Sequence, residues 1–330
     1  MNTTSSSRVC AAAAWVAFAW VAFGASFAAA QDYPAREIRS LCNYGPGSGA
    51  DIMVRFYSDR LSKLIGKPVV VENKVGANGA IATDALAKSK PDGYTILITP
   101  VSSTIVSAPY MFKNLPFDST KDFTAVTTIA KLSFTILVDA ASPIKTAGEL
   151  VAHLKTKPNQ GFYGATSNAG VIAAELFKAK AGLRTTYVPY KQNPQALTDL
   201  LLGQLDFIAF DSTWAAAQSG PGGKLRIIAV ASEKRSSALP DVPTLAESGY
   251  GGGDVAPWWG VVVPAGTPRS IVDRLSALFN EITAAEDTRQ FLSRAAFDPF
   301  PGSPEQMQSL MKSDAERWRG YVETAKIQPQ

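Results

Sequence analysis

The chain has 330 residues, 32 Lys and Arg against 28 Asp and Glu, one histidine and two cysteines. A net charge of +4 with both signs interspersed is too mild for a nucleic-acid binder. One cysteine lies in an apolar leader, so the mature chain keeps Cys42 alone, which excludes an intrachain disulfide and a zinc site built from His and Cys.

The first thirty residues carry one charge, Arg8, ahead of an almost wholly apolar run from Cys10 to Phe27. Ala28-Ala29-Ala30 then precedes Gln31. This order predicts a secretory signal peptide, residues 1–30, cleaved near Ala30. The alternative is a membrane anchor, but the run is barely long enough to span and ends in a cleavage site. No later stretch is long and apolar enough to cross a bilayer, so the expected mature protein is exported. Roughly 300 residues exceed one ordinary core and suggest two lobes.

Ile38–Cys42 reads as a strand, and 51–64 as an amphipathic helix. Between them lies Asn43-Tyr44-Gly45-Pro46-Gly47-Ser48-Gly49-Ala50. A glycine-rich loop ahead of a helix N-terminus presents unpaired N–H groups and partial positive charge, which attract an anion. The same loop fits a dinucleotide fingerprint, Gly45-x-Gly47-x-x-Ala50, with Glu72 ending the next predicted strand where a ribose-binding acid belongs. An exported chain is a poor host for a nicotinamide cofactor, and Pro46 removes one N–H. No Gly-Lys-Ser/Thr follows, so the loop is no Walker motif. The bland alternative is that the glycines only permit a tight turn.

Farther along, strands are predicted over 69–72, 94–99 and 134–138, with helices over 76–87 and 147–155, the latter capped by Thr146. Ile105 and its neighbours receive no element, nor does the stretch around Val126. The strand Phe162–Ala165 runs into a second turn, Thr166-Ser167-Asn168-Ala169-Gly170, ahead of a helix over 171–181. Strand, helix, strand, helix, strand follow over 186–188, 194–202, 207–210, 213–217 and 227–231. A strand over 258–263 and helices over 269–282 and 304–325 complete the chain. Alternating β and α segments predict mostly parallel sheets covered by helices.

The strand–turn–helix arrangement thus occurs twice, and open α/β sheets bind ligands at the carboxyl ends of their strands, where both turns fall. Two lobes aiming helix N-termini at one cleft would clamp an anion. Asp211 ends a strand at that face and either accepts from a ligand or caps the following helix. Tyr44, Trp214, Trp258 and Trp259 are candidates for an aromatic wall, although large apolar rings more often serve packing. His153 lies in a polar-faced helix, and nothing nearby supports a catalytic triad.

Short motifs in fixed order resemble the substrate-binding proteins of tripartite tricarboxylate transporters, the Bug family. They include Tyr33-Pro34, Val69-Val70-Val71-Glu72-Asn73, Pro91-Asp92-Gly93-Tyr94-Thr95, Val188-Pro189-Tyr190-Lys191, Gly203-Gln204-Leu205-Asp206, Trp258-Trp259-Gly260 and Pro264-Ala265-Gly266-Thr267-Pro268. The resemblance implies an α/β, two-lobed periplasmic binding protein fold of type II-like form, each lobe a mostly parallel sheet flanked by helices. Lobe one would be 31–132 plus 251–330 and lobe two 133–250. It implies a periplasmic, monomeric, non-enzymatic receptor that delivers a small organic carboxylate to transporter membrane subunits, with no cofactor and no metal. Carried over, the ligand residues are Tyr44, Gly45, Pro46, Gly47 and Ser48 in the first lobe, and Thr166, Ser167, Asn168, Gly170 and Val171 in the second. Ser102, Ser103, Asp211 and Trp258 join them. Asn43, Tyr44, Gly45 and Ser48 stand where that family usually has Pro, Phe, Pro and Gly, adding a phenol and a hydroxyl. Tyr44 in the loop, with Trp258 or Trp259 as an opposing face, leads to the expectation of an aromatic mono- or dicarboxylate. The competing functions are an exported NAD(P)-type oxidoreductase using the Gly45–Ala50 loop, and a ligand sensor docking on a signalling receptor.

Overall fold

The computed structural model describes residues 33–325 and residue 329. The signal peptide expected over residues 1–30 lies outside the described residues. Strand β1 (Ile38–Cys42) leads to α1 (Gly49–Ile65), β2 (Val69–Asn73), α2 (Ala80–Ala87), β3 (Thr95–Thr99), the short α3 (Ala108–Met111) and β4 (Phe123–Lys131). The chain then builds a second sheet: β5 (Phe134–Asp139), α4 (Ala147–Thr156), β6 (Phe162–Ala165), α5 (Asn168–Ala181), β7 (Thr186–Pro189), α6 (Asn193–Leu201), β8 (Phe207–Asp211), α7 (Ser212–Ser219) and β9 (Leu225–Val230). It returns to the first sheet through β10 (Trp258–Pro264), then α8 (Arg269–Ala284), α9 (Glu286–Arg294), β11 (Asp298–Pro299) and α10 (Pro304–Thr324).

Local chemistry sets the boundaries. The Ser48 hydroxyl caps α1 by accepting from the Asp51 N–H, and Gly66, at φ 62, ends the helix in the left-handed region. Thr146 with Glu149 and Ser303 with Gln306 form capping boxes on α4 and α10. The helix expected over 76–87 starts late. Gly76, Ala77, Asn78 and Gly79 all have positive φ, and only Ala80–Ala87 is α-helical. A side chain at Gly79 would strike the Asn43 amide and Thr104, so this turn needs glycine to close against the end of β1.

The strand order is β11-β4-β10-β3-β1-β2 in the first sheet and β7-β6-β8-β5-β9 in the second. Both sheets are mixed, which corrects the expectation of mostly parallel ones. β1 runs parallel to β2 and β3, and β6 to β7 and β8. β10 runs antiparallel to β3 and β4, and β5 antiparallel to β8 and β9. The cause is the crossing. The chain leaves the first sheet along β4 and comes back from the same end along β10, so the returning strand opposes its neighbours. β5 enters the second sheet from that end and opposes its neighbours likewise.

Helices cover both faces of the first sheet. Ile38, Ile96 and Ile98 share a cluster with Met53 and Tyr57 of α1 and Leu275 and Phe279 of α8. Leu41 and Leu97 share another with Leu86 of α2 and Met307 and Trp318 of α10. That second cluster continues through Ile136, Tyr163, Phe177 and Phe207 of the other sheet, so α10 belongs to a core common to both. A fully buried ring such as Phe177 contributes about 1.5–3 kcal/mol through area removed from water.

Register fixes where the loops fall. Cys42 pairs with Asn73, Thr99 with Gly260 and Lys131 with Trp258, so β1, β2, β3 and β4 end at one edge. In the second sheet Phe134 pairs with Asp211 and Ala165 with Pro189, so β6, β7 and β8 end where β5 begins. Both edges face the crossing segments. There the Leu132 N–H donates to the Pro257 carbonyl at 3.0 Å and the Val255 N–H to the Ala231 carbonyl at 2.8 Å.

Candidate functional site

The loop from β1 to α1 is shaped by a buried carboxylate. Asp51, 1% exposed, accepts from the Gly47 N–H at 2.8 Å, Arg55 Nε at 2.8 Å and Asn73 Nδ2 at 2.7 Å. Asn73 Nδ2 also donates to the Tyr44 carbonyl at 2.8 Å, and Arg55 Nη2 donates to Asn73 Oδ1 at 2.8 Å. Burial by itself raises a carboxyl's pKa. Here the hydrogen bonds from Arg55, Asn73 and Gly47 outweigh it and hold Asp51 at about 2.

The loop therefore carries its own anion. The Gly47 N–H is engaged by Asp51 and the Ser48 N–H by the Gly45 carbonyl at 3.2 Å. The Ser48 hydroxyl also donates to the Gly45 carbonyl at 2.8 Å. Pro46 has no N–H, and the N–H groups of Tyr44, Gly45, Gly49 and Ala50 are without an acceptor among the described residues. Gly47 has φ +80 and open space around its missing Cβ, so backbone conformation rather than room requires glycine.

Beneath the loop, the Thr99 hydroxyl donates to Asn43 Oδ1 at 3.0 Å and lies 3.2 Å from the Thr104 hydroxyl. Burial pushes the Tyr44 phenol up to about 12. Its ring stacks on Trp259, with centroids 5.9 Å apart and planes 25° apart. Trp259 is itself buried in the core.

Ser102 and Ser103 lie in a π-helical turn, Ser102–Val106, after β3. Ser102 is buried, and its hydroxyl accepts from the Trp258 N–H at 3.0 Å. The Ser103 hydroxyl, half-buried, donates to the Pro100 carbonyl at 3.2 Å. The Trp258 ring is turned into the core, where Nε1 donates to Asp314 Oδ2 of α10 at 2.9 Å. Burial raises the Asp314 pKa, and Arg317, 2.9 Å away, opposes that rise.

On the second sheet, Ser167 caps α5, its hydroxyl accepting from the Gly170 N–H at 3.2 Å. Ser167 and Asn168 are exposed, while Val171 is buried. A Cβ at Gly170 would lie 2.4 Å from the Ala209 carbonyl oxygen, so glycine permits α5 to approach β8. The Thr166 hydroxyl donates to Asn193 Oδ1 at 2.6 Å. Asp211 caps α7 through the Trp214 N–H at 3.0 Å and also accepts from the Thr213 hydroxyl. The cap read for Asp211 in the sequence is formed.

The structure thus sets Tyr44–Ser48 and Ser102–Ser103 on the first sheet's edge, and Thr166–Val171 and Asp211 on the facing edge. Ser102 and Trp258 meet each other, engaged within the fold. Asn73, Asn43 and Asn193 are the polar groups the motif reading misses. The Asp51–Arg55 spacing of four along a helix was a legible clue to the first of these networks. Glu72, at the end of the edge strand β2, is ion-paired with Arg39 and with Lys74, 2.7 Å away. His153 contacts Asp206 at 3.2 Å on the surface of the second lobe. Among the described residues no helix is long and apolar enough to cross a membrane, and no group of three or more His, Cys, Asp or Glu is placed to hold a metal.

Residues 53–327 match the tripartite tricarboxylate transporter family receptor profile, TctC. A UPF0065 protein of Bordetella bronchiseptica is 35% identical over 305 residues, which cover 92% of this chain and 89% of the relative. Among solved structures, R. palustris Rpa4515 with adipate is similar at 30% identity and a TM-score of 0.76, covering 91% of this chain and 100% of that one. MatC from Rhodopseudomonas palustris with bound malate is similar at 25% identity and a TM-score of 0.69, covering 88% of this chain and 100% of that one.

Proposed function

The chain belongs to the tripartite tricarboxylate transporter receptor family, and on that premise we propose that it captures a small organic carboxylate between its two sheets and delivers it to the membrane subunits of such a transporter. The observation that carries this reading is convergence. The carboxyl ends of β1, β3, β6 and β8 face the same crossing, and two of the loops there open helices capped by serine. Helix N-termini with spare N–H donors suit a carboxylate. The related structures that hold adipate and malate support the same ligand class.

The ligand residues we propose are the Tyr44–Ser48 loop with the Thr166–Val171 turn, and Ser103 and Asp211 at the margins. The lobes would divide near 132 and 250, as the passage from Lys131 to Phe134 and the return before Trp258 suggest. We place the working protein in the periplasm as a monomer without catalytic activity, its leader removed. An aliphatic acid is favoured over an aromatic one, because Trp259 covers one face of Tyr44 and the Trp258 ring is bonded away to Asp314.

The test is a thermal-shift screen over mono- and dicarboxylates, followed by small-angle scattering. A ligand at ~100 times its dissociation constant should stabilise by ~2.7 kcal/mol. Two lobes closing on it should shrink the radius of gyration. Absence of any stabilising carboxylate would reject the receptor reading, and a shift with an unchanged radius would place the site outside the cleft.

A further inference from the structure

The second sheet carries a pair of side chains to which neither the motifs nor the family reading assigns a ligand role. Asn193 opens α6 at the end of the loop that leaves β7. It is half-buried, and its amide oxygen accepts the Thr166 hydroxyl at 2.6 Å. With the Thr166 hydroxyl as donor, the amide oxygen is engaged and the nitrogen keeps two N–H donors. The nitrogen makes no hydrogen bond among the described residues. Since β7 lies beside β6 in the sheet, Asn193 flanks the Thr166–Val171 turn on the side opposite Asp211, which ends β8.

Charge points to the same place. The segments 43–48, 100–107, 166–171 and 211–212 contain no Lys or Arg. At the same edge Lys74 is paired with Glu72, and Lys131 lies over the Phe300 ring. Lys191 stands two residues before Asn193, is exposed, and enters no ion pair among the described residues. Neutral N–H donors and helix N-termini suffice for one negative charge. A second charge taken from water calls for a cation and further donors.

We infer that Lys191 and Asn193 form a subsite for the second carboxylate of a dicarboxylate ligand, Asn193 giving the directed N–H donors and Lys191 the compensating charge. This rests on the carboxylate-receptor reading above, and makes the preferred substrate class dicarboxylates.

The experiment is titration calorimetry with adipate and with hexanoate, its six-carbon monocarboxylate counterpart, on the unmodified protein and two variants. Asn193→Asp keeps the acceptor for Thr166 and replaces the donors by a carboxylate oxygen. Lys191→Gln alters an exposed side chain and leaves folding untouched. Wild type should prefer adipate. Each variant should lose about tenfold or more in adipate affinity, the equivalent of one hydrogen bond to a charged group, with hexanoate changed by less than about threefold. An adipate-to-hexanoate ratio that stays constant across wild type and Lys191→Gln overturns the subsite while leaving the receptor intact. Failure of wild type to bind any carboxylate rejects the receptor reading and the subsite with it.

Discussion

Replacing Asp51 by Asn tests whether an internal anion shapes the first loop. The change is nearly isosteric, but one acceptor oxygen becomes a donor. One of the two bonded sides, the Asn73 contact at 2.7 Å, survives with the remaining oxygen. The other then faces the Gly47 N–H and Arg55 Nε, both 2.8 Å away, donor against donor. Two hydrogen bonds to a charged group, at roughly 1.5–3 kcal/mol each, are lost. The Arg55 share is discounted because its side chain is 48% exposed. That leaves a cost of about 2–4 kcal/mol. At about 2.1 cal/mol/K per residue, a chain of this length should melt about 3–6 °C lower at pH 7. Asp51 is held at about 2, below its ordinary value of 3.8. Its stabilisation is therefore complete above pH 3.8 and is lost as the pH falls toward 2. Differential scanning calorimetry from pH 7 to pH 2.5 should show the wild-type advantage over Asp51→Asn narrowing below about pH 4. Equal melting at pH 7, or a gap that does not narrow in acid, would refute the argument.

Three further substitutions separate packing from binding. Trp258→Phe removes the 2.9 Å bond to buried Asp314 and should cost about 1–3 kcal/mol in denaturant unfolding, with carboxylate affinity unchanged; lost affinity at wild-type stability would put that ring in the site. Gly47→Val forces a β-branched residue to φ +80, a strain of about 1–2 kcal/mol, and should abolish ligand binding in a protein whose circular dichroism stays native; retained calorimetric affinity would contradict the proposed loop. Tyr44→Phe should bind as wild type, whereas Tyr44→Ala should lose the stack on Trp259, about 0.5–1.5 kcal/mol beyond area burial, seen as a lower melting temperature. Equal melting of the two variants would show the stack to be idle.

Legibility in the sequence followed the locality of the cause. Ile38–Cys42 and Phe162–Ala165 are short apolar runs bounded by turns, and both were readable to the residue. Caps were readable too, since Thr146 and Glu149 act within one helical turn. β4 was not, because Thr124, Thr127 and Thr128 break the apolar pattern although threonine suits a strand. Thr127 is fully buried, and its hydroxyl is satisfied by the Gly302 carbonyl at 2.7 Å, a partner far away in the chain. The direction of β10 was likewise invisible, since nothing within 258–264 records which end the chain returns from. In the site, the two glycine turns were legible as turns. That Asn73 ties Asp51 to the Tyr44 carbonyl, and that Thr166 meets Asn193, depends on approaches between separate segments.

The insertion of β10 between β3 and β4 also sets an order of assembly. During synthesis the second sheet, contiguous from Phe134 to Val230, has all its strands as soon as they emerge. The first sheet cannot be completed until residues 258–264 arrive and pair with strands made well over a hundred residues earlier. Such long-range closure is slow, because the intervening loop's entropy must be overcome before any contact rewards it. The amino-terminal sheet of this chain thus closes only once residues 258–264 exist, whereas the sheet built in between depends on nothing made after Val230.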